Sequence, residues 1–211
     1  MNKRTLLSLA LASMGALARP GEARAQTRPT PIFNDPRASI GLLLGVSSVH
    51  GGQYEQRASQ WGYGSFGSAL TVAVEGGAWL TPWLSLGGRL GMLRGDSDAT
   101  PTDGARLALA SYDLSAYARL GGVLGHRRVR GFLGVQLEAG AQWASIDLRN
   151  VSTSKATARF AVMAVGQVIV GPVAFGMRLG PRFGIWTGAG GEHADLDLGG
   201  IELSTGVEVR L

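Results

Sequence analysis

Three histidines stand in the sequence, His50, His126 and His193, and no cysteine accompanies them. Without thiols there is no disulfide framework, no thiolate metal site and no cysteine nucleophile. Asp96, Asp98 and Asp103 fall in one stretch, and Glu192, His193, Asp195 and Asp197 in another. Carboxylates at such spacing can collect Ca²⁺ or Mg²⁺. Neither stretch has the five spaced oxygen ligands and distal glutamate of an EF-hand loop, so both read as solvated acidic segments. Gly121-Gly122 and Gly190-Gly191 precede no helical pattern, which leaves an anion without a helix N-terminus to sit on. His126-Arg127-Arg128-Val129-Arg130 could meet anionic headgroups, although a solvated basic turn is the simpler reading. The expectation is a protein with no catalytic residues, no cofactor and no metal site, and not an enzyme.

A second set of charged residues recurs at alternate positions inside apolar segments: Glu75, Arg89, Asp113, Arg119, Glu138, Arg159, Arg178, Arg182, Glu202, Glu208 and Arg210. That is five carboxylates and six guanidiniums, nearly balanced, as a dry interior demands of buried charge. Arginine suits such a place because its planar fork pairs bidentately with carboxylates.

The elements that position these charges show period-two alternation. In the clearest, Val173, Phe175, Met177, Leu179, Phe183 and Ile185 oppose Ala174, Gly176, Arg178, Gly180, Arg182 and Gly184. The same pattern predicts eight strands, over 38–49, 67–80, 83–94, 106–122, 130–146, 156–170, 172–186 and 199–211. The sixth is weaker, since Met163 and Val165 fall on its polar face. Connections are expected to alternate in length. Long ones cover 50–66, 95–105, 147–155 and 187–198; tight ones lie at Thr81-Pro82, near Gly125–Val129 and at Gly171-Pro172.

Ahead of the strands, Met1-Asn2-Lys3-Arg4, an apolar stretch to Ala18 and Ala23-Arg24-Ala25 have the form of a secretory signal peptide over 1–25. Its apolar run is shorter than the roughly 20 residues of a spanning helix. Four basic residues and one acid would leave with it, so the net charge falls from +5 to +2 and argues for no nucleic-acid partner. Residues 26–37 hold Pro29, Pro31 and Pro36 and read as a Pro-rich periplasmic linker.

Alternation alone does not say which face is buried. A soluble barrel hides its apolar face, whereas a membrane barrel turns it to lipid. Here the polar face carries glycine, alanine, serine and isolated charges in place of the lysine, glutamate and threonine of a wetted strand, and 33 of the 211 residues are glycine. The apolar face is nearly free of charge, a purity that hydrocarbon enforces at roughly 2–4 kcal/mol per misplaced arginine or lysine. These features predict an eight-stranded antiparallel up-and-down transmembrane β-barrel over 38–211.

The chain resembles the eight-stranded outer-membrane barrels of the OmpA/OmpX type, as a barrel-only member. The final segment, Ser204-Thr205-Gly206-Val207-Glu208-Val209-Arg210-Leu211, is similar to the C-terminal signal that such proteins offer to the barrel assembly machinery, with Gly206, Val209 and Leu211 as its marks. Leu211 stands where the usual residue is aromatic. The resemblance implies a Gram-negative outer-membrane location, a monomer, membrane lipid and lipopolysaccharide as surroundings, and four loops at the cell surface.

Several finer expectations follow. Trp79, Trp83 and Phe132 are assigned to the periplasmic rim, and Trp143, Phe160, Phe183 and Trp186 to the outer rim, where aromatic rings favour the interface. Arg94, Arg106, Arg149 and Lys155 flank the long loops at the height of lipopolysaccharide phosphates. The function expected is structural or interactive: membrane integrity, surface contact or adhesion, with a largely closed lumen. The alternatives are a small gated channel and a lipid A-modifying acyltransferase. The lipid A palmitoyltransferases, also eight-stranded barrels, use a histidine in the first loop and an Asp-Ser pair in the second, which His50 and Asp96-Ser97 match. Those enzymes need an apolar lumen to measure an acyl chain, and the lumen here is charged.

Overall fold

The computed structural model describes residues 38–49, 59–60, 62–97, 107–126, 129–148, 151–186 and 198–211. Period-two sequence becomes strand throughout: β1 Ala38–Ser48, β2 Ser68–Thr81, β3 Leu84–Asp96, β4 Leu107–His126, β5 Val129–Leu148, β6 Val151–Val170, β7 Val173–Trp186 and β8 Gly200–Arg210. Each strand pairs antiparallel with the next, and β8 closes on β1, so no sheet edge is left. Signal peptide and linker, assigned to 1–37, lie outside the described residues.

Alternation fixes which side chains meet which solvent. Thirty-four large apolar side chains among the described residues are exposed, nearly all of them on the outer wall. No water-soluble surface tolerates a contiguous patch of that extent. The outward apolar span runs from Leu70 to Leu80 on β2, from Val173 to Phe183 on β7 and from Ile201 to Leu211 on β8. Each is eleven residues, about what a strand tilted near 45° needs to cross a hydrocarbon core. Arg94 and Asp96 on β3 and Asp147 on β5 appear on the outward face only beyond the belt, toward the loop end.

The register winds steeply. From Ser39 the paired residues run through Gly77, Gly87, Tyr117, Glu138, Ala161 and Arg182 to Gly200. Gly200 lies two residues from Glu202, the partner of Ser47, so the circuit returns to β1 at Val49, ten residues from its start. This stagger brings inward side chains from distant strands to one level, and eight strands leave an interior that those side chains can fill.

Two expectations are corrected. The third long connection, 147–155, is instead a hairpin: β5 and β6 stay paired through Ala144↔Lys155, Ile146↔Thr153 and Leu148↔Val151. Backbone pairing continues there without an apolar stripe, which is why the alternation did not reveal it. Trp79 and Phe132 are not rim residues. Both point into the lumen, Phe132 fully buried, with ring centroids 5.2 Å apart at 79°. Trp143, Phe160 and Phe183 face outward, and Trp83 is exposed in the β2–β3 turn; the side chain of Trp186 is outside the described residues.

The turn at Gly171-Pro172 is tight because Gly171 takes φ 59°, a left-handed value that glycine adopts at no steric cost.

Candidate functional site

The inward faces build a lumen in layers. Toward the loop end lies an apolar layer of Val49, Phe66, Leu93, Leu109, Ile146 and Leu198. Toward the turn end Trp79 and Phe132 pack with Ala161, Met163, Val165, Ile169 and Ala174. The two off-pattern residues of the sixth segment, Met163 and Val165, thus extend the aromatic cluster along β6. Between these layers stand the charges. The structure places all eleven inward charged residues in the lumen, none more than 7% exposed.

They form two groups. In the loop-side group Arg89 donates to Glu138 at 3.2 Å and to Glu202 at 2.8 Å, and Arg159 donates to the same Glu138 oxygen at 2.5 Å. Asp113 stands farther away, 3.6 Å from Arg159 and 3.9 Å from Arg89. Glu202 also faces Arg159 at 3.7 Å and Arg182 at 4.0 Å, and Arg182 donates to the Leu198 carbonyl at 3.1 Å.

In the turn-side group Arg119 uses every nitrogen. Nε donates to Gln136 at 2.9 Å, Nη1 to Glu208 at 2.9 Å and Nη2 to Glu75 at 3.2 Å. Glu75 also pairs with Arg178, and Glu208 accepts from Gln167 at 2.9 Å. Arg210 Nε lies 3.9 Å from Glu208, with its guanidinium 5.0 Å from the Trp79 ring centroid. Arg119 sits 5.3 Å from the Tyr117 ring and 6.0 Å from that of Trp79, so cations and aromatic faces share this level.

Gln136 joins the two groups. Its amide nitrogen donates to Glu138 at 2.8 Å and to Glu75 at 3.2 Å while its oxygen accepts from Arg119. Strand parity already put Gln136, Gln142 and Gln167 inward; a search confined to charged residues passes over them.

Glycines make room for this packing across strand pairs. Gly91 is paired with Asp113, whose carboxylate occupies the space a Cβ at 91 would take. Gly77 and Gly87, paired with each other, lie under the Tyr117 ring in the same way. Small residues on this face therefore answer particular large neighbours as well as the general narrowness of the lumen.

Burying these ions costs several kcal/mol each unless geometry and hydrogen bonding repay it. The shared carboxylates do so by each serving two or more arginines. What the arrangement can do chemically is cross-link strands far apart in sequence and fill the barrel. No cluster of three His, Cys, Asp or Glu suited to a metal occurs among the described residues.

The remaining sequence candidates scatter. Arg94 is exposed on the outer wall of β3. Lys155 is half-buried and lies opposite Ala144, on the luminal side of the β5–β6 hairpin, so it does not share Arg94's surface. Arg106, Arg149, His50 and His193 fall outside the described residues, as does the side chain of His126. Asp96 is exposed and Ser97 buried at the end of β3. In the last strand Gly206 faces inward against the Leu42 carbonyl and the Leu43 side chain, with Val209 and Leu211 exposed outward.

No protein-family model and no curated protein matches the sequence. Among solved structures the chain is similar to Neisserial surface protein A (NspA), at 16% identity and TM-score 0.48 over 82% of this chain and 96% of that one. It is also similar to Ail, the attachment invasion locus protein of Yersinia pestis, at 14% identity and TM-score 0.44 over 82% and 99%. A second Ail structure, in complex with the heparin analogue sucrose octasulfate, gives 14% identity and TM-score 0.47 over the same shares.

Proposed function

We propose that this protein is a monomeric outer-membrane barrel of a Gram-negative cell with a sealed lumen, acting through membrane integrity and surface contact made by its loops. The observation that carries this reading is the filled interior: eleven buried charges, joined by Gln136, lie between two apolar layers. The outer wall supports the membrane location, because its apolar side chains have no other solvent that suits them. The barrel assembly machinery is the partner that the Gly206, Val209 and Leu211 signal would address. Purified protein in planar bilayers should show no large stable conductance. A steady pore that passes sugars would defeat the reading.

The second reading is a small gated channel, favoured by the loop-side charges. Several of their polar atoms, among them Asp113 Oδ1, Glu202 Oε2 and Arg182 Nε, have no hydrogen-bond partner in the protein. Buried polar groups of this kind take up water, and a hydrated layer can rearrange. Brief, small conductance steps that vanish when Glu138 or Arg159 is replaced would favour it. The acyltransferase reading is the weakest, since ion pairs occupy the space an acyl chain would need.

A further inference from the structure

Proline has no N–H to give a β-ladder, so sheets confine it to edges and bulges. This barrel carries one inside β7. Pro181 faces outward between Leu179 and Phe183, within the apolar belt. Toward β8 the pairing is continuous through Pro181↔Ile201. Toward β6 it stops at Ala161↔Arg182 and resumes at Ala164↔Leu179 in the same register, so the pairs missing are those of Gly180 and Pro181. The other ladders run unbroken through the belt; only β2–β3 shifts, beside its turn, between Trp79 and Thr81.

The break divides β7. On its turn side, Val173 to Leu179 are paired with both neighbouring strands. On its loop side, the β7–β8 ladder ends at Arg182↔Gly200, while the pairing with β6 continues to Trp186. The last few residues of β7 therefore hang on a short ladder that no pair joins to the rest of the β6–β7 seam.

That end of β7 also holds part of the apolar layer in place. Arg182 Nη2 donates to the Leu198 carbonyl at 3.1 Å, and a Cβ on Gly184 would stand 3.2 Å from the Cβ of Leu198. Leu198 is fully buried and packs in the loop-end layer with Phe66, Leu93 and Leu109. Charges lie around this clasp. Arg159 is paired with Gly184, and Glu202 stands 4.0 Å from Arg182. Arg159 Nη2, Arg182 Nε and Glu202 Oε2 have no hydrogen-bond partner in the protein. We propose that Gly180-Pro181 is a hinge, and that Arg182–Ile185 with Leu198 clasped against it forms a gate that admits water to the loop-side charges.

The break sets where an opening stops. In an unbroken ladder, lifting the end of a strand pulls on the next hydrogen-bonded pair. Here the next pair is missing, so the loop-side piece opens as a local unit and leaves the turn-side piece closed. Opening withdraws Leu198 from the apolar layer, and water then bonds the buried polar atoms beside it. That hydration offsets part of the cost of opening, which a wholly apolar interior would not do.

The gate rests on the second reading, a loop-side layer that takes up water, and the experiment separates it from ion conduction. Hydrogen exchange is followed on the barrel in lipid vesicles. Pro181→Val restores the ladder donor with a side chain that lipid tolerates. Because the chain has no cysteine, Gly184→Cys with Leu198→Cys adds a single disulfide across the clasp. Folding of each variant is checked by the heat-dependent shift in electrophoretic mobility. In the wild type, the amides of 182–186 should exchange about tenfold faster than those of 92–96, the loop-side end of β3. Pro181→Val should slow 182–186 about fivefold or more and leave 173–179 unchanged, and oxidation of the cysteine pair should slow them relative to its reduced form. Exchange at 182–186 no faster than at 92–96 overturns the gate. So does exchange there that neither Pro181→Val nor the disulfide alters. Conductance in planar bilayers bears on the channel alone: a seam that opens to water yet passes no ions keeps the gate and removes the channel.

Discussion

On the loop side of Gln136, three arginines face three carboxylates, and their contacts spread from 2.5 to 4.0 Å, with Glu138 a hub that holds Arg89 and Arg159 and Glu202 a looser one that faces all three arginines. On the turn side, three arginines face two carboxylates, and the guanidinium of Arg119 is fully used by Gln136, Glu208 and Glu75. The turn-side charges also lie against Tyr117 and Trp79, whereas the loop-side charges have no ring beside them among the contacts observed. The same desolvation cost is thus met in two ways. One group relies on carboxylates shared among guanidiniums; the other adds neutral amides and aromatic faces to its ion pairs. The difference predicts that losing Glu138, which makes the one close ion pair of Arg159, costs more than losing a carboxylate on the turn side.

Replacement of Glu138 should therefore have the largest effect. Glu138→Ala strips Arg89 and Arg159 of a common partner; Arg89 keeps Glu202 at 2.8 Å, but buried Arg159 is left facing carboxylates only at 3.6–3.7 Å. Breaking a buried pair in this way costs about 3–5 kcal/mol. The loss should appear as an earlier urea midpoint for the barrel in lipid vesicles, with the slope unchanged. A shift under about 1 kcal/mol would mean that Glu138 is no hub.

Glu208→Ala is the matching change on the turn side. Arg119 keeps Glu75 and Gln136, the neutral amide of Gln167 loses its acceptor, and Arg210 loses a carboxylate that stood only at 3.9 Å while keeping the Trp79 ring. The expected cost is about 1–3 kcal/mol, the desolvation penalty of an unpaired polar group. Measured beside Glu138→Ala under the same conditions, an equal or larger loss would erase the distinction between the two groups.

How much of this was legible in the sequence follows from periodicity. A side-chain period of two shows which residues share a face, so the inward parity of Arg89 or Glu202 could be read directly. Charge composition then separates a lipid-facing wall from a wetted one. Partners could not be read, because Arg89 meets Glu202 only through the stagger of a closed barrel, and stagger is a property of the whole circuit. Trp79 and Phe132 were misplaced although their own strands gave the right parity; the preference of aromatics for interfaces was allowed to outweigh alternation. The β5–β6 hairpin was missed because Ser152, Thr153 and Ser154 pair by backbone alone and leave no apolar trace.

The smallest of the three effects on stability tests whether the two groups are one network. Gln136 is the only residue found bonded to both, through Glu138 and Glu75. Gln136→Leu keeps most of the volume and removes the link. Arg119 Nε then loses a neutral acceptor, while its bonds to Glu208 and Glu75 remain. About 1–2 kcal/mol is the expected loss, because Arg119, Glu75 and Glu138 each give up a bond to a neutral amide but keep their ion pairs. The informative quantity is the coupling in a double-mutant cycle with Glu208→Ala. Glu208 has no bond to Gln136, and the two residues meet only through Arg119. If the bridge transmits, the two changes together should cost at least about 0.5 kcal/mol more than their sum, because Arg119 would then be left with Glu75 alone. Strict additivity would show that Arg119 holds each partner independently, and the two groups would then be neighbours that share a lumen without sharing a network.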